Sequence, residues 1–549
     1  MGEAEPEAKA GLLERMLGFI ERVGNKVPHP AVLFLGLCVG LILLSQVLAW
    51  AGWSATYEVV KPPAEVAQEL DIGGSMLPAE VVPGEQADAD SYEVVTETAE
   101  IKGLLSTDGI RFLFTSFVQN FMAFTAMGII LIVMIGVGVS EASGLIASLI
   151  RKLVAASSPG ALTYIIVGLG VVSSIASDAG YLVLIPLGAA AFLSVGRHPL
   201  AGMAAAFAGV AGGFGVNLLI TPTDAVLTEI TNEAIGLVEA GRTIDITANL
   251  YFGIGSTIVI TVLLAIVSKR VVEPRLGAYD AALAPTGDEL RDQPDTFDGI
   301  TPEQDSRGLR WAGIAFVVAL GIILALSVPS GAPLRDPETG SLIGTSPFMD
   351  GLIPIIAMLF LAAGLGYGRG ARTLTTTTDA IDAVTKSWAG MAGLLFLFLL
   401  IAQFIAYFNY SNVPKVAAVK LGDLIEDWSI GTLGLLLVAI VITVIVGIIM
   451  PQAIAKWALL APIFIPLFLR LGIDPEVVLA AYRVADSPIN IVTPIMAYFP
   501  LIVVFALRYD KSAGIGTVIA LMLPYFAALT VVWTAFFAGW YLLGIPWGP

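Results

Sequence analysis

Apolar runs of about twenty residues recur along the whole chain, separated by short polar turns, a pattern that predicts membrane spans. They fall at about 31–53, 110–139, 200–222, 249–269, 309–329, 351–368, 386–409, 476–508 and 514–543. Two further apolar stretches, 161–195 and 431–471, are too long for one comfortable span and are interrupted midway. The first breaks at Ser173, Ser174, Ser177, Asp178 and Gly180, the second at MPQAIAKW, residues 450–457. Each reads as a re-entrant helical hairpin that leaves the membrane on the side from which it came. The pattern therefore predicts an all-α polytopic membrane protein of about nine transmembrane helices and two re-entrant hairpins.

Composition agrees with that reading, since 57% of the 549 residues are hydrophobic and only 13% are charged, with a mean hydropathy of +0.86. Soluble domains carry roughly a quarter charged residues. The first apolar run is long enough to span and follows a mixed-charge amphipathic segment, so no cleavable signal peptide is expected. The single cysteine, Cys38, lies in that run. It excludes an intrachain disulfide and argues against redox chemistry.

Charge placement orients the chain. The net charge is −17, and the segment from Ser54 to Glu100 holds eleven acids against one base, Lys61. The bases Arg15, Arg22, Lys26, Arg151, Lys152, Lys269, Arg270, Arg275, Arg369, Arg372, Arg508 and Lys511 lie near the ends of apolar runs. The positive-inside rule then puts the N-terminus in the cytoplasm of a multi-pass protein of the inner, or plasma, membrane. Residues 1–30 form a cytoplasmic segment, and 31–270 a first half containing hairpin 161–195 and an acidic external loop, 54–107. Residues 271–307 form a cytoplasmic linker, and 308–549 a second half containing hairpin 431–471.

The halves resemble each other. A shift of 276 residues aligns Tyr181 with Trp457, Pro186 with Pro462 and Pro199 with Pro475. After each hairpin comes an interrupted helix: GGFGVNLLITP at 212–222 and ADSPINIVTP at 485–494, so that Asn217 and Thr221-Pro222 are echoed by Asn490 and Thr493-Pro494. Because the hairpins open from opposite sides, this is an inverted repeat with broken helices, a plan whose interruptions meet at a midplane binding site. Freed helix N-termini favour an anion there, and carbonyls or side-chain oxygens can hold a cation.

Ionisable residues at such breaks cost about 2.5–3.5 kcal/mol to insert, which makes function their default reading. Asp178 and Asp486 each suit proton binding, sodium coordination or a structural hydrogen bond. Arg483 lies one helical turn before Asp486 and can neutralise it or grip a substrate carboxylate. Asn217 and Asn490 can serve either ion or solute. A sodium ion is expected, if anywhere, near Ser177, Asp178, Asn217, Asp486 and Asn490; no other cofactor is. Trp457 could stack on an aromatic ligand, facing its counterpart Tyr181.

Three segments, SSIASDAGYLVLIPL (173–187), AKWALLAPIFIPLF (455–468) and YRVADSPINIVTPIMAYFP (482–500), resemble the AbgT family of p-aminobenzoyl-glutamate transporters. The positions matching that family's functional residues are Asp178, Trp457, Pro475, Arg483 and Asp486, the last four spaced by 18, 8 and 3. The resemblance implies a homodimer with a bowl open to the aqueous side. It also implies transport of p-aminobenzoyl-glutamate or export of sulfonamide-type antimetabolites by a non-enzyme. One departure is Ile454, where the family carries a serine. The acidic loop and the 271–307 linker are larger than the family's usual ones.

The expected partners are a small anionic aromatic solute, membrane lipid and a second copy of the chain, not nucleic acid. A sodium-coupled dicarboxylate carrier of the divalent-anion type shares the hairpins and would not need Trp457. An intramembrane aspartyl hydrolase using Asp178 and Asp486, or a channel, fits the repeat less well. The direction of transport, and proton against sodium coupling, are open at this level.

Overall fold

The computed structural model describes residues 30–61, 93–176, 180–239, 241–280, 300–342, 346–426, 431–494, 496 and 498–549. Its helices, in chain order, begin with α1 (Pro30–Trp50), α2 (Thr107–Thr115), α3 (Phe117–Ala123), α4 (Thr125–Ala142) and α5 (Leu145–Ala155). The first broken stretch follows as α6 (Leu162–Val172) and α7 (Ile185–Ser194), then α8 (Pro199–Gly212) and α9 (Pro222–Gly236), and α10 (Leu250–Leu276). The second half comprises α11 (Pro302–Ser327), α12 (Leu352–Ala371), α13 (Thr377–Gly390), α14 (Ala392–Tyr410) and α15 (Val413–Glu426). It closes with α16 (Thr432–Ile449), α17 (Ala453–Arg470), α18 (Pro475–Asn490), α19 (Phe499–Leu507) and α20 (Ile515–Leu542).

Among the described residues eight helices are long and apolar enough to cross a membrane: α1, α4, α10, α11, α12, α14, α17 and α20. Seven overlap expected spans, α10 running on to Leu276 and α11 starting at Pro302, and α17 is the returning arm of the second hairpin. The other two expected spans, 200–222 and 476–508, are not continuous helices. The first ends at Gly212 and resumes as α9 only at Pro222, the last residue of the expected span; the second is divided between α18 and α19. The run 110–139 is also divided, with a link at Ser116 and another at Phe124. The chain is not purely helical: the described ends of the acidic loop pair as an antiparallel ribbon of β1 (Ser54–Lys61) and β2 (Glu93–Glu100), Ser54 opposite Glu100. Its alternating Thr, Val and Tyr positions suit a strand.

Helix α10 acts as a ruler for the hairpins, since 27 residues extend about 40 Å. At its C-terminal end, Lys269 Nζ donates to Gly160 O at 2.7 Å. There too Arg197 grips Glu273 through Nε and Nη2 at 2.7 and 2.6 Å and donates to Thr163 Oγ1 at 2.9 Å. Both ends of the first hairpin therefore sit on one side. At the other end of α10, Asn249 Nδ2 donates to Glu476 O at 2.9 Å, at the start of α18. Helices α8 and α18 thus start from opposite sides and meet at their C-termini, where Gly215 N donates to Ser487 Oγ at 2.9 Å.

Small residues let the first hairpin close on α8. A Cβ on Gly209 would lie 2.6 Å from Val167 O, and one on Gly202 would lie 2.2 Å from Gly188 O. Backbones this close exclude any side chain, the packing that joins helices where lipid offers no hydrophobic drive.

Candidate functional site

The interruptions have local causes. Helix α8 runs into Gly212-Gly213, and the chain restarts as a helix at Thr221-Pro222, with Pro222 in the first position where no N–H is needed. Thr221 Oγ1 accepts from Asp224 N at 3.2 Å, while Asp224 Oδ2 accepts from Thr221 N and Oγ1, both at 2.7 Å. This reciprocal cap fixes Asp224 at the positive end of α9, where a carboxylate is stabilised. In the second half, Pro488 lies in the last turn of α18, which ends at Asn490.

Arg483 joins the two breaks. Its Nη1 donates to Asp224 Oδ1 at 2.5 Å and to Gly215 O at 3.0 Å. The Arg483 side chain is 6% exposed and that of Asp224 18%. The Nε of Arg483 is buried and has no partner among the described residues. Arg483 also lines a cavity of about 20 Å³, together with Gly215, Asn217, Asp224 and Asn249. That volume admits water and nothing larger.

Asn217 lines the same cavity and braces the first hairpin: Nδ2 donates to Val172 O at 3.0 Å and to Ser174 Oγ at 2.8 Å. Its Oδ1 accepts from Leu218 N at 2.7 Å. One amide thus satisfies a carbonyl freed at the end of α6 and an N–H of the unwound link, as burial in the membrane demands.

Asp486 is buried one turn beyond Arg483 yet pairs with a different cation. Lys456 Nζ donates to Asp486 Oδ1 at 2.7 Å, with the two side chains 0% and 2% exposed. The Tyr482 hydroxyl lies 3.2 Å from the same oxygen and donates to Ala453 O at 2.5 Å. Neutralisation of Asp486 by Arg483, open in the sequence, is replaced by two separate pairs, because α17 places Lys456 against α18.

Trp457 is wholly buried, with Nε1 donating to Thr231 Oγ1 at 3.0 Å and its ring centroid 4.5 Å from that of Tyr482. Tyr181 stacks instead on Tyr498, centroids 4.5 Å apart. The expected facing pair of Trp457 and Tyr181 does not form; each ring has a partner inside the protein. Pro475 opens α18, 11 residues before Asp486 and so about 16 Å from it along the helix. Asn490 is buried, and its Oδ1 has no partner among the described residues. Asp178 and Ser177 lie outside the described residues.

Sequence reasoning missed Asp224 and the role of Lys456. Thr221-Pro-Thr-Asp224 ahead of an apolar stretch is a capping-box signature, and Lys456, an isolated cation within an apolar hairpin, met the criterion already applied to Asp486.

Inverted units of a hairpin plus a broken helix, joined by charged residues at their breaks, define a polytopic membrane transporter. The comparisons make this specific. The family model described as "AbgT putative transporter family" matches residues 15–549, and the chain belongs to that family. It is 32% identical over 535 residues to the p-aminobenzoyl-glutamate transport protein of Escherichia coli K12, covering 97% of this chain and 96% of that one. The crystal structure of the Alcanivorax borkumensis YdaH transporter matches with a TM-score of 0.81 and 38% identity, over 95% of this chain and all of that one. Neisseria gonorrhoeae MtrF, described with a class of antimetabolite efflux pumps, matches with a TM-score of 0.81 and 36% identity, over 97% of this chain and 99% of that one.

Proposed function

We propose that this chain is a secondary active transporter of p-aminobenzoyl-glutamate and of sulfonamide-type antimetabolites, working by alternating access and driven by a proton or sodium gradient. The observation that carries the reading is the bond from Arg483 to Asp224, which ties the second repeat to the first across a cavity too small for the solute. A solute of this size requires the two units to separate. Its carboxylates are the ligands a planar guanidinium grips best, and the Nε of Arg483, buried and unpartnered here among the described residues, would be open to one of them once the units part. Asp224 would then compete with the solute for Arg483. The names of the Escherichia coli and Neisseria relatives support the two solute classes.

The reading includes a homodimer in the inner membrane with a cytoplasmic N-terminus. Radiolabelled p-aminobenzoyl-glutamate flux in proteoliposomes, with proton and sodium gradients imposed separately, tests it. Flux driven by one gradient is expected; none under either would overturn it.

A further inference from the structure

We propose that Lys456 is a tethered cation that takes at Asp486 the place a mobile ion would occupy, so that the second hairpin closes on α18 without sodium. Three observations lead there. Asp486 Oδ1 already receives Lys456 Nζ at 2.7 Å and faces the Tyr482 hydroxyl at 3.2 Å, inside a wholly buried cluster. Sodium at this carboxylate, expected from the sequence, would have to displace an ammonium that has no water to retreat into. Lys456 also lies in the first turn of α17, where the dipole of its own helix disfavours a cation, so its charge depends on Asp486.

The third observation is the comparison of the two repeats. The 276-residue shift sets Gly180 opposite Lys456 and Val210 opposite Asp486. These positions also meet in the first half, where a Cβ on Gly180 would stand 3.0 Å from Val210 Cγ1. The same junction between hairpin and third helix is thus built once with a glycine against an apolar side chain and once with an ion pair. The junction does not itself require charge, and where a carboxylate is present the chain supplies the counter-charge.

Without the lysine side chain, the oxygens of Asp486, Tyr482 and Ala453 would converge on a vacant space, the kind of oxygen set that holds sodium in broken-helix transporters. The test is the thermal stability of the detergent-solubilised full chain in sodium chloride and in N-methyl-D-glucamine chloride at equal ionic strength. Lys456→Ala is expected to gain a sodium-dependent rise in Tm of a few degrees beyond any rise in wild type, growing with sodium concentration as linkage requires. Lys456→Met, which fills the space without charge, and Lys456→Ala with Asp486→Asn should show no increment beyond wild type.

An equal sodium response in wild type and Lys456→Ala would overturn the proposal. So would failure to recover folded Lys456→Ala in either salt, whether or not the double variant is recovered. These readouts need no transport substrate, so they stand apart from the solute assignment.

Discussion

Arg483 and Asp224 sit 259 positions apart in sequence and are joined by a hydrogen bond of 2.5 Å. One belongs to the helix after the second hairpin and the other to the head of α9 beyond the first break, so the bond spans the inverted repeat. Removing one member of a mostly buried pair strands the other charge, at a cost of about 3–5 kcal/mol. Asp224→Asn is therefore expected to lower thermal stability by that order. In a double-mutant cycle with Arg483→Gln, the combined variant should be more stable than the sum of the two losses predicts. Additive losses would show that the two charges do not depend on each other.

Arg483 also bears on selectivity. Lysine keeps the charge and loses the planar fork, so Arg483→Lys should weaken p-aminobenzoyl-glutamate binding more than binding of a neutral sulfonamide. Titration of both ligands on wild type and variant measures the difference. Equal losses would confine Arg483 to its bridge with Asp224.

Trp457 is a packing residue in this conformation, clamped between Thr231 and Tyr482. Trp457→Ala opens a buried cavity and should cost about 3–5 kcal/mol of stability. Trp457→Phe keeps most of the ring and loses one hydrogen bond, about 1 kcal/mol, because Thr231 Oγ1 still donates to Leu227 O at 2.7 Å. Thermal unfolding should rank the two in that order, with substrate affinity near wild type in Trp457→Phe. A large affinity loss at unchanged stability would instead put the indole against the ligand.

Gly209 is required by the closeness of α6. Gly209→Ala would push a methyl into Val167 O, and overpacking of this kind costs about 1–3 kcal/mol. A methyl added at Gly36 would meet nothing within 4 Å, so Gly36→Ala should be neutral or slightly stabilising. Tm values for the two alanine variants, measured side by side, check the contrast.

His198 gives the fold an acid response. Its Nδ1 accepts from Leu200 N at 3.3 Å at the start of α8, which needs that nitrogen unprotonated. Burial lowers its pKa below the ordinary 6.5, against the opposing pull of Asp510 and Glu273. As pH falls the unfolded chain takes the proton first, so this contribution is complete above the ordinary value and is lost as pH drops through the lowered one. His198→Asn keeps a capping acceptor without titrating, and its Tm should fall less than that of wild type between about pH 7 and about pH 5. Parallel slopes would remove His198 from the acid response.

What the sequence determined by itself were the properties that arise locally. Length and apolarity set the spans, and Gly212-Gly213, Thr221-Pro222 and Pro488 set the breaks, because each acts on the backbone within one or two turns. The two hairpins and their repeat followed from the same punctuation. The tertiary structure alone decided which charge meets which. Arg483 and Asp486 are neighbours on one helix, so they suggest a pair, yet Asp486 is met by Lys456 from 30 residues upstream and Arg483 by Asp224 from the other half. Trp457 and Tyr181 align in the repeat but stack on Tyr482 and Tyr498. Sequence symmetry equates positions, whereas contact depends on how the hairpins fold back, and in a low-dielectric interior each buried charge is held by the counter-charge that folding brings within reach.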